Sequence, residues 1–303
     1  MLQVKENFII KNLTTYKIGG VVDKIYFPET TSEFTDLLRR LDSYIVLGNC
    51  SNVLFSSKGY RGNVILTTEL KLFEIKGTKV FVSAGVKGPL ISQTAAEAGL
   101  SGFEFMIGFP GTIGGNICMN AGAHGQCISD KLVQCCLYDK KTNEVVYKSK
   151  DEMNFSYRNS ILKEGRYVLL HAEFELQKSE KDNIKTLIDR NLEFRKNIQP
   201  SLKYPNAGSV FKNPENDSAG RLLDKAGVKS FDLPQAKVWD NHANFIINKG
   251  NATSEDILTL MVMMYNAVKK QYTIELVPEI IFIGDKTEKE EELWNILCPK
   301  KQK

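Results

Sequence analysis

Hydrophobic residues in the first fifty positions alternate between the spacing of a strand and that of a helix. Residues 24–27 and 44–47 are short apolar runs of the length typical of strands. Between them, Thr30 and Glu33 have the spacing of a capping box. Apolar residues then recur at helical spacing, at Phe34, Leu37, Leu38 and Leu41. The pattern predicts a β-α-β unit over residues 20–50.

The rest of the chain mixes both periodicities. Strands are predicted at 62–66, 79–83, 133–147, 167–176, 244–248 and 279–283. Helices are predicted from Pro89 to Gly99, over 182–197 and over 218–226. A last helix begins at a cap on Thr253, and its apolar face is formed by Ile257, Met261, Met264, Tyr265 and Val268. This mixture predicts the α+β class.

Composition limits the possible partners and compartment. The chain has 303 residues, 42% of them hydrophobic, and a net charge of +4 whose basic residues are spread along the sequence. This spread argues against a nucleic-acid binder, and no apolar run approaches the roughly 20 residues that span a membrane. Lys5 and Glu6 place charges where a signal peptide would need an apolar core, so none is expected there. The basic end at 300–303 is expected to be a solvated terminus.

Cysteine and histidine usage indicates reduced thiols and no metal site. The 6 cysteines form no CxxC pair, and only 3 histidines accompany them. The resulting expectation is a soluble cytoplasmic protein without a metal.

Three polar or glycine-rich segments are candidates for chemistry. The first, residues 102–125, is rich in glycine, and the second, 47–54, runs from an apolar segment into a small polar turn. Such backbone can surround a phosphate with N–H groups. The third brings Ser209, Lys212 and Asn213 together after Gly208, which suits a phosphorylated substrate and a proton donor. From the residues alone, structural turns explain these segments equally well, and Ser209 fits a turn better than a catalyst.

Several motifs in a fixed order identify a family. They occupy residues 14–20, 47–52, 99–123, 157–160, 207–214, 242–248 and 278–280. In this order and spacing they resemble UDP-N-acetylenolpyruvoylglucosamine reductases, the MurB family, over residues 12–284. The short connection before the Thr253 helix resembles the type that lacks an additional substrate loop.

The resemblance implies a fold and a reaction. The expected fold is a two-subdomain FAD-binding fold of the vanillyl-alcohol-oxidase (PCMH) kind, at 1–66 and 67–199, followed by an α+β substrate domain at 200–285 and a charged tail at 286–303. The expected reaction reduces UDP-N-acetylglucosamine enolpyruvate to UDP-N-acetylmuramate for peptidoglycan synthesis. Non-covalent FAD and the hydride donor NADPH are implied, in a monomer without nucleic-acid or membrane partners.

The resemblance also implies roles for individual residues. Arg158 would stabilise the negative charge that hydride addition creates, Ser209 would donate a proton, and Glu279 would orient the reacting group. Cofactor binding is expected at Gly48, Asn49, Cys50, Ser51, Asn52, Gly108, Pro110, Gly111, Thr112, Gly114, Gly115, Asn120, Ala121 and Gly122. Substrate binding is expected at Tyr157, Lys212, Asn213, His242 and Asn244.

Some positions depart from the family pattern. Cys50 stands where glycine is usual, so a positive φ there would strain the backbone by about 1 kcal/mol or more. Pro234 lies in a segment that is usually glycine-rich, Trp239 replaces a small residue, and Ile281 stands where arginine is common. Two alternatives to an active reductase therefore remain: a non-catalytic paralogue that binds a UDP-sugar or a partner, and a flavin oxidase of the same fold.

Overall fold

The computed structural model describes residues 2–201 and 203–299. Its strands are β1 (Gln3–Ile9), β2 (Val21–Phe27), β3 (Tyr44–Leu47), β4 (Val53–Phe55), β5 (Tyr60–Leu66), β6 (Phe73–Lys76), β7 (Lys79–Ser83), β8 (Leu100–Ser101), β9 (Gly122–Ala123), β10 (Gln126–Cys127), β11 (Leu132–Asp139), β12 (Glu144–Ser149), β13 (Tyr167–Glu175), β14 (Gln177–Lys178), β15 (Ala236–Val238), β16 (Ile246–Asn248) and β17 (Ile281–Ile283). Its α-helices are α1 (Thr31–Arg40), α2 (Gly88–Glu97), α3 (Ile113–Cys118), α4 (Lys181–Ile198), α5 (Ala219–Lys225), α6 (Ser254–Tyr272) and α7 (Glu288–Leu297). None of the helices in this described part is long and apolar enough to cross a membrane.

The chain forms two compact units and passes between them several times. The first unit contains the described residues within 1–6, 24–49 and 62–195, and the second those within 7–23, 50–61 and 196–303. The predicted domain boundaries, at 1–66, 67–199 and 200–285, stay a prediction.

The first unit is built on an antiparallel sheet with the strand order β12-β11-β13-β7-β6. Side chains alternate across this sheet. On one face, Cys135 and Leu137 belong to a core that also contains Ile91 of α2 and Ile117 of α3. On the other face, residues including Tyr138 pack in a second core with the buried side of α1. The central strands are therefore covered on both faces.

The predicted β-α-β unit forms, and the chain places another strand inside it. Thr30 caps α1 by accepting a hydrogen bond from Glu33 N. The strand order is β1-β2-β5-β3, so β5 lies between β2 and β3. Within the first unit, β3 and β5 pair in parallel from Tyr44 and Asn63 to Leu47 and Leu66. Local periodicity predicts the elements but carries no information on this order.

The second unit has its own core around α6. The predicted apolar face of this helix is buried, from Ile257 to Val268. Thr253 and Asp256 form a capping box at its start. The helix packs with α5 and with the antiparallel pair β15-β16. The predicted start of this helix and its buried face are confirmed.

The end of the second unit differs from the charged tail that the sequence predicts. Residues Glu288–Leu297 form α7, which is capped by a box between Thr287 and Glu290. Leu293 and Leu297 are buried in the core of the unit. Because most residues of this helix are charged, the helical spacing of Leu293 and Leu297 is not apparent in the sequence, and the segment is predicted to be a tail. The predicted solvated end at 300–303 lies outside the described residues.

Candidate active site

In the second unit, the segment that carries Ser209 runs beside the segment that carries Glu279. Glu279 N donates a hydrogen bond to Val210 O at 2.8 Å, and Lys212 N donates to Val277 O at 2.9 Å. An antiparallel bridge joins the two segments between these bonds. Ser209 and Glu279 are both partly exposed. The structure therefore brings these two predicted catalytic residues onto adjacent segments.

The side chain of Asn244 holds the Ser209 segment in place. Its Oδ1 accepts a hydrogen bond from Phe211 N at 2.9 Å, and its Nδ2 donates to Phe211 O at 2.8 Å. Its backbone carbonyl accepts a third bond from Val210 N at 2.9 Å. Asn244 is only 3% exposed. Both ends of this amide are used on backbone, so its described contacts are positioning contacts.

His242 supports the same loop. Its Nδ1 accepts a hydrogen bond from Asn244 N at 3.2 Å, and its ring lies 4.8 Å from that of Phe245. Burial, with a smaller contribution from the charge of Lys229, lowers the pKa of His242. The imidazole is therefore neutral at physiological pH and available as a hydrogen-bonding group.

Ser51 and Asn52, the last two predicted cofactor residues of the polar turn at 47–54, also lie beside the Glu279 segment. Asn52 Nδ2 donates a hydrogen bond to Glu279 O at 3.0 Å, and Ile281 N donates to Asn52 O at 3.0 Å. A Cβ on Gly208 would lie 3.9 Å from Ser51 O. Within the second unit, a predicted cofactor residue and two predicted catalytic segments thus converge.

Cys50, which stands where glycine is usual, has a left-handed backbone. Its φ is 51°, and its side chain is 3% exposed. Thr15 Oγ1 donates a hydrogen bond to Cys50 O at 3.1 Å, which helps to hold this conformation. Burial raises the pKa of the thiol to about 12. The side chain is therefore a protonated, inert group rather than a nucleophile.

In the first unit, Gly48 and Asn49 of the same polar turn contact the glycine-rich segment at 102–125. A Cβ on Gly48 would lie only 2.1 Å from Thr112 Oγ1, so only glycine fits there. Asn49 Nδ2 donates a hydrogen bond to Pro110 O at 2.6 Å. Next to this contact, a Cβ on Gly115 would meet only Thr112 Oγ1, at 3.8 Å. Gly48 and Gly115 thus both face the Thr112 hydroxyl.

Three buried polar atoms between positions 112 and 120 of this segment have no hydrogen-bond partner among the described residues. They are Thr112 Oγ1, Asn116 Nδ2 and Asn120 Oδ1. Asn120 Nδ2 donates to Ser156 O at 3.2 Å, so its amide is fixed in orientation. Buried polar groups are nearly always paired in native proteins. The set is consistent with a polar ligand that completes these bonds.

Arg158 lies at the corner of a tight turn in the first unit. Ser156 and Asn159 exchange both backbone hydrogen bonds, at 3.2 and 3.1 Å. Arg158 has a φ of 54°, a left-handed conformation that is uncommon for a residue with a long side chain. Its guanidinium lies 5.1 Å from the ring centroid of Tyr157, and one of its nitrogens is 3.5 Å from Gly122 O. Strained residues of this kind cluster at functional sites.

Arg195 is a candidate that the sequence does not single out. Its guanidinium carbon lies 5.6 Å from the ring centroid of Phe109, and a Cβ on Gly108 would lie 2.3 Å from its Cδ. Burial lowers the pKa of Arg195 to about 10, so the group still carries its charge at neutral pH. In the sequence it is one of many charged residues of a predicted helix, and only the fold brings it onto the glycine-rich segment.

Two family models match the chain. The model for the C-terminal domain of UDP-N-acetylenolpyruvoylglucosamine reductase matches residues 199–283. A model for an FAD-binding domain matches residues 22–140. Together they match parts of both units.

Full-length relatives agree with these models. A UDP-N-acetylenolpyruvoylglucosamine reductase of Caldicellulosiruptor bescii is 42% identical over 283 residues, which cover 91% of this chain and 89% of the relative. A reductase of the same name from Caldanaerobacter subterraneus is 39% identical over 281 residues, covering 91% and 92%. The crystal structure of UDP-N-acetylenolpyruvylglucosamine reductase from Thermus caldophilus superimposes with a TM-score of 0.81 at 32% identity, and covers 93% of this chain and 99% of that one. The predicted α+β FAD-binding fold is confirmed.

Proposed function

The chain belongs to the UDP-N-acetylenolpyruvoylglucosamine reductase (MurB) family, and from this we propose that it reduces UDP-N-acetylglucosamine enolpyruvate to UDP-N-acetylmuramate. NADPH is the proposed hydride donor and non-covalent FAD the carrier. The reaction belongs to peptidoglycan precursor synthesis, and we propose that it takes place in the cytoplasm. The observation that carries the proposal is the hydrogen-bonded alignment of the Ser209 segment with Glu279.

The residues of the first unit fit FAD. Thr112 Oγ1, Asn116 Nδ2 and Asn120 Oδ1 have no partner among residues 2–201 and 203–299, and together with the close approach at Gly48 they suit a ligand rich in acceptors and donors. Arg195 offers a nearby charge for a diphosphate. The other predicted cofactor residues in this segment contribute backbone. Bound FAD supplies a carrier that takes a hydride from NADPH and passes it to the substrate.

Arg158 is the proposed stabiliser of negative charge. Hydride addition to the β-carbon of the enolpyruvyl group leaves enolate-like charge on the α-carbon and the carboxylate. A guanidinium is always charged and can bind a carboxylate through two hydrogen bonds. The tight turn between Ser156 and Asn159 fixes the backbone of Arg158, so little reorganisation is needed when this charge develops.

Ser209 is the proposed proton donor to the α-carbon. A hydroxyl is a weak acid, but an enolate carbon is basic enough to take its proton, and the serine then recovers a proton from solvent. Glu279 lies on the adjacent segment and is proposed to orient the reacting group. Asn244 is proposed to act through Phe211, by fixing the backbone on which Ser209 is carried.

The remaining predicted residues are proposed to bind the nucleotide part of the substrate. Lys212 and Asn213 follow Ser209 on the same segment, and an ammonium with an amide suits a diphosphate or a uridine. Tyr157 is 53% exposed beside Arg158, so its ring is accessible to a ligand. His242 carries a neutral imidazole in the adjacent loop of the second unit.

A product assay tests the proposal. The purified protein is loaded with FAD and incubated with NADPH and UDP-N-acetylglucosamine enolpyruvate, and the sugar is analysed by mass spectrometry. We expect one molecule of reduced sugar for each NADPH consumed. Without the sugar, under anaerobic conditions, NADPH consumption should stop after the first turnover. NADPH consumption that produces hydrogen peroxide instead of the reduced sugar would indicate an oxidase. Failure to load FAD would indicate a non-catalytic paralogue.

A further inference from the structure

A buried carboxylate lies in the second unit, outside the proposed catalytic set. Glu290, in the first turn of α7, has no exposed surface. Its Oε2 accepts hydrogen bonds from Thr287 N at 2.8 Å and from the Ser56 hydroxyl at 2.8 Å, and its Oε1 accepts one from the Ser254 hydroxyl. Burial of a carboxylate without such donors would be strongly unfavourable. The network therefore has one central acceptor and several donors.

The surrounding backbone fixes the direction of these hydrogen bonds. Lys58 N donates to Ser56 Oγ at 3.1 Å, and Ser57 N donates to Ser254 Oγ at 2.7 Å. Because each hydroxyl oxygen already accepts a backbone bond, its hydrogen is directed towards an acceptor. Glu290 is the acceptor that the two hydroxyls have in common, although Ser56 Oγ also lies 2.8 Å from Asp285 O and Ser254 Oγ lies 3.0 Å from Ser57 Oγ. A glutamine in its place would present N–H groups to hydroxyls that need an acceptor.

The network is attached to the end of the parallel strand pair β4-β17. Ser56 follows β4 directly, its N donates to Ile283 O at 2.8 Å, and its hydroxyl also lies 2.8 Å from Asp285 O. At the opposite end of the same pair, Asn52 bonds to the backbone of Glu279 and Ile281. Each strand is only three residues long. The pair thus depends on the bonds at its two ends for its register.

We propose that Glu290 is a positioning residue for the reductase: from α7 it fixes one end of the β4-β17 pair and so fixes Glu279 at the other end. The inference rests on the proposed function, because Glu279 has its role only in that reaction. Ring packing strengthens the attachment, since Trp294 of α7 lies 5.5 Å from Phe282 in the middle of β17. Glu290 acts through this strand and does not touch the reacting atoms.

The test measures the two half-reactions separately under anaerobic conditions in stopped flow, with the FAD-loaded full chain. In Glu290→Gln, we expect reoxidation of the reduced flavin by saturating enolpyruvyl sugar to slow about tenfold, because a small misplacement of Glu279 affects the step in which it acts. Reduction of the flavin by NADPH should change less than about twofold, since that step does not need Glu279. Glu292→Gln is the control, since Glu292 is exposed on the same helix and bonds only to Lys289 among the described residues. It should behave as wild type in both half-reactions.

If Glu290→Gln does not fold, a milder variant tests the proposed positioning role. Ser254→Ala removes a single hydroxyl from the network and should show the same selective slowing, by about threefold, since part of the network remains. Wild-type reoxidation rates in both variants would overturn the inference. So would equal slowing of both half-reactions, which indicates a general structural defect. If the wild type itself fails either half-reaction, the proposed function and the inference fall together.

Discussion

Two residues with left-handed backbone, Cys50 and Arg158, are strained where the proposed chemistry lies. At Cys50 the sequence indicates where strain would arise, because cysteine stands where glycine is usual, and the structure has a positive φ there. At Arg158 the sequence gives no such signal, since arginine matches the family pattern. At Arg158 the backbone hydrogen bonds between Ser156 and Asn159 hold the conformation, and at Cys50 the Thr15 hydroxyl donates a hydrogen bond to the Cys50 carbonyl. Strain of this kind contributes about 1–2 kcal/mol per residue.

The strain at Cys50 predicts a reversed order of stability between two variants. Both Cys50→Gly and Cys50→Ala lose the thiol, but only glycine removes the Cβ that opposes a positive φ. We expect Cys50→Gly to be more stable than Cys50→Ala by about 1 kcal/mol in urea unfolding. At Cys136, which is buried in the regular strand β11, the order should be the opposite. Equal stability of the two Cys50 variants would show that the position is not strained.

The proposed proton transfer predicts a selective defect in Ser209→Ala. Loss of the donor should slow reoxidation of the reduced flavin by the enolpyruvyl sugar by about 10²–10⁴-fold, because general acid catalysis contributes that much. Reduction by NADPH needs no such donor and should be unchanged. Ser201→Ala, at an exposed position ahead of the same segment, serves as control. Normal reoxidation in Ser209→Ala would remove Ser209 from the mechanism.

At the scale of elements, the two hydrogen bonds between the Asn244 side chain and the Phe211 backbone predict that loss of Asn244 lowers stability rather than substrate affinity. Asn244→Ala leaves Phe211 N and Phe211 O buried without their partner. We expect the free energy of unfolding to fall by about 2–4 kcal/mol, since each unsatisfied group costs about 1–3 kcal/mol. Asn241→Ala, at an exposed position in the same loop, should change little. If stability is retained and only the KM for the sugar rises, Asn244 binds substrate directly.

An ion pair between Asp139, the last residue of β11, and Arg166, the residue before β13, predicts a dependence on pH. Hydrogen bonds from Arg166 lower the pKa of Asp139 to about 2. Because the folded pKa lies below the unfolded one, the stabilisation is present above about pH 4 and is lost as the pH falls through about 2. The difference in thermal stability between wild type and Asp139→Asn should therefore shrink over this range. A constant Asp139→Asn difference over this range would contradict the assignment.

For the whole molecule, the sequence predicts the elements better than their arrangement. Capping residues and apolar spacing locate α1 and α6 correctly, because these signals are local. They miss α7, whose buried leucines stand among glutamates and lysines. They also give no sheet order, since insertion of β5 next to β3 depends on contacts between distant residues.

The same limit applies to the site. The sequence motifs indicate the family and single out Ser209 and Glu279. The alignment of these two segments in the second unit depends on backbone hydrogen bonds that no periodicity indicates. Arg195 and Glu290 are missed because a charged residue in a helix is usually solvated. Asn244 is expected to bind substrate, whereas its amide is bonded to Phe211. Positioning roles of this kind become visible only in the fold.

An anaerobic absorbance trace of the FAD-loaded protein tests the central claim most directly. NADPH is added first and UDP-N-acetylglucosamine enolpyruvate second, while the flavin band is followed. We predict that NADPH bleaches the band and that the band recovers only when the enolpyruvyl sugar arrives. Bleaching without recovery would contradict the substrate, and a band that NADPH leaves unchanged would contradict the proposed hydride donor.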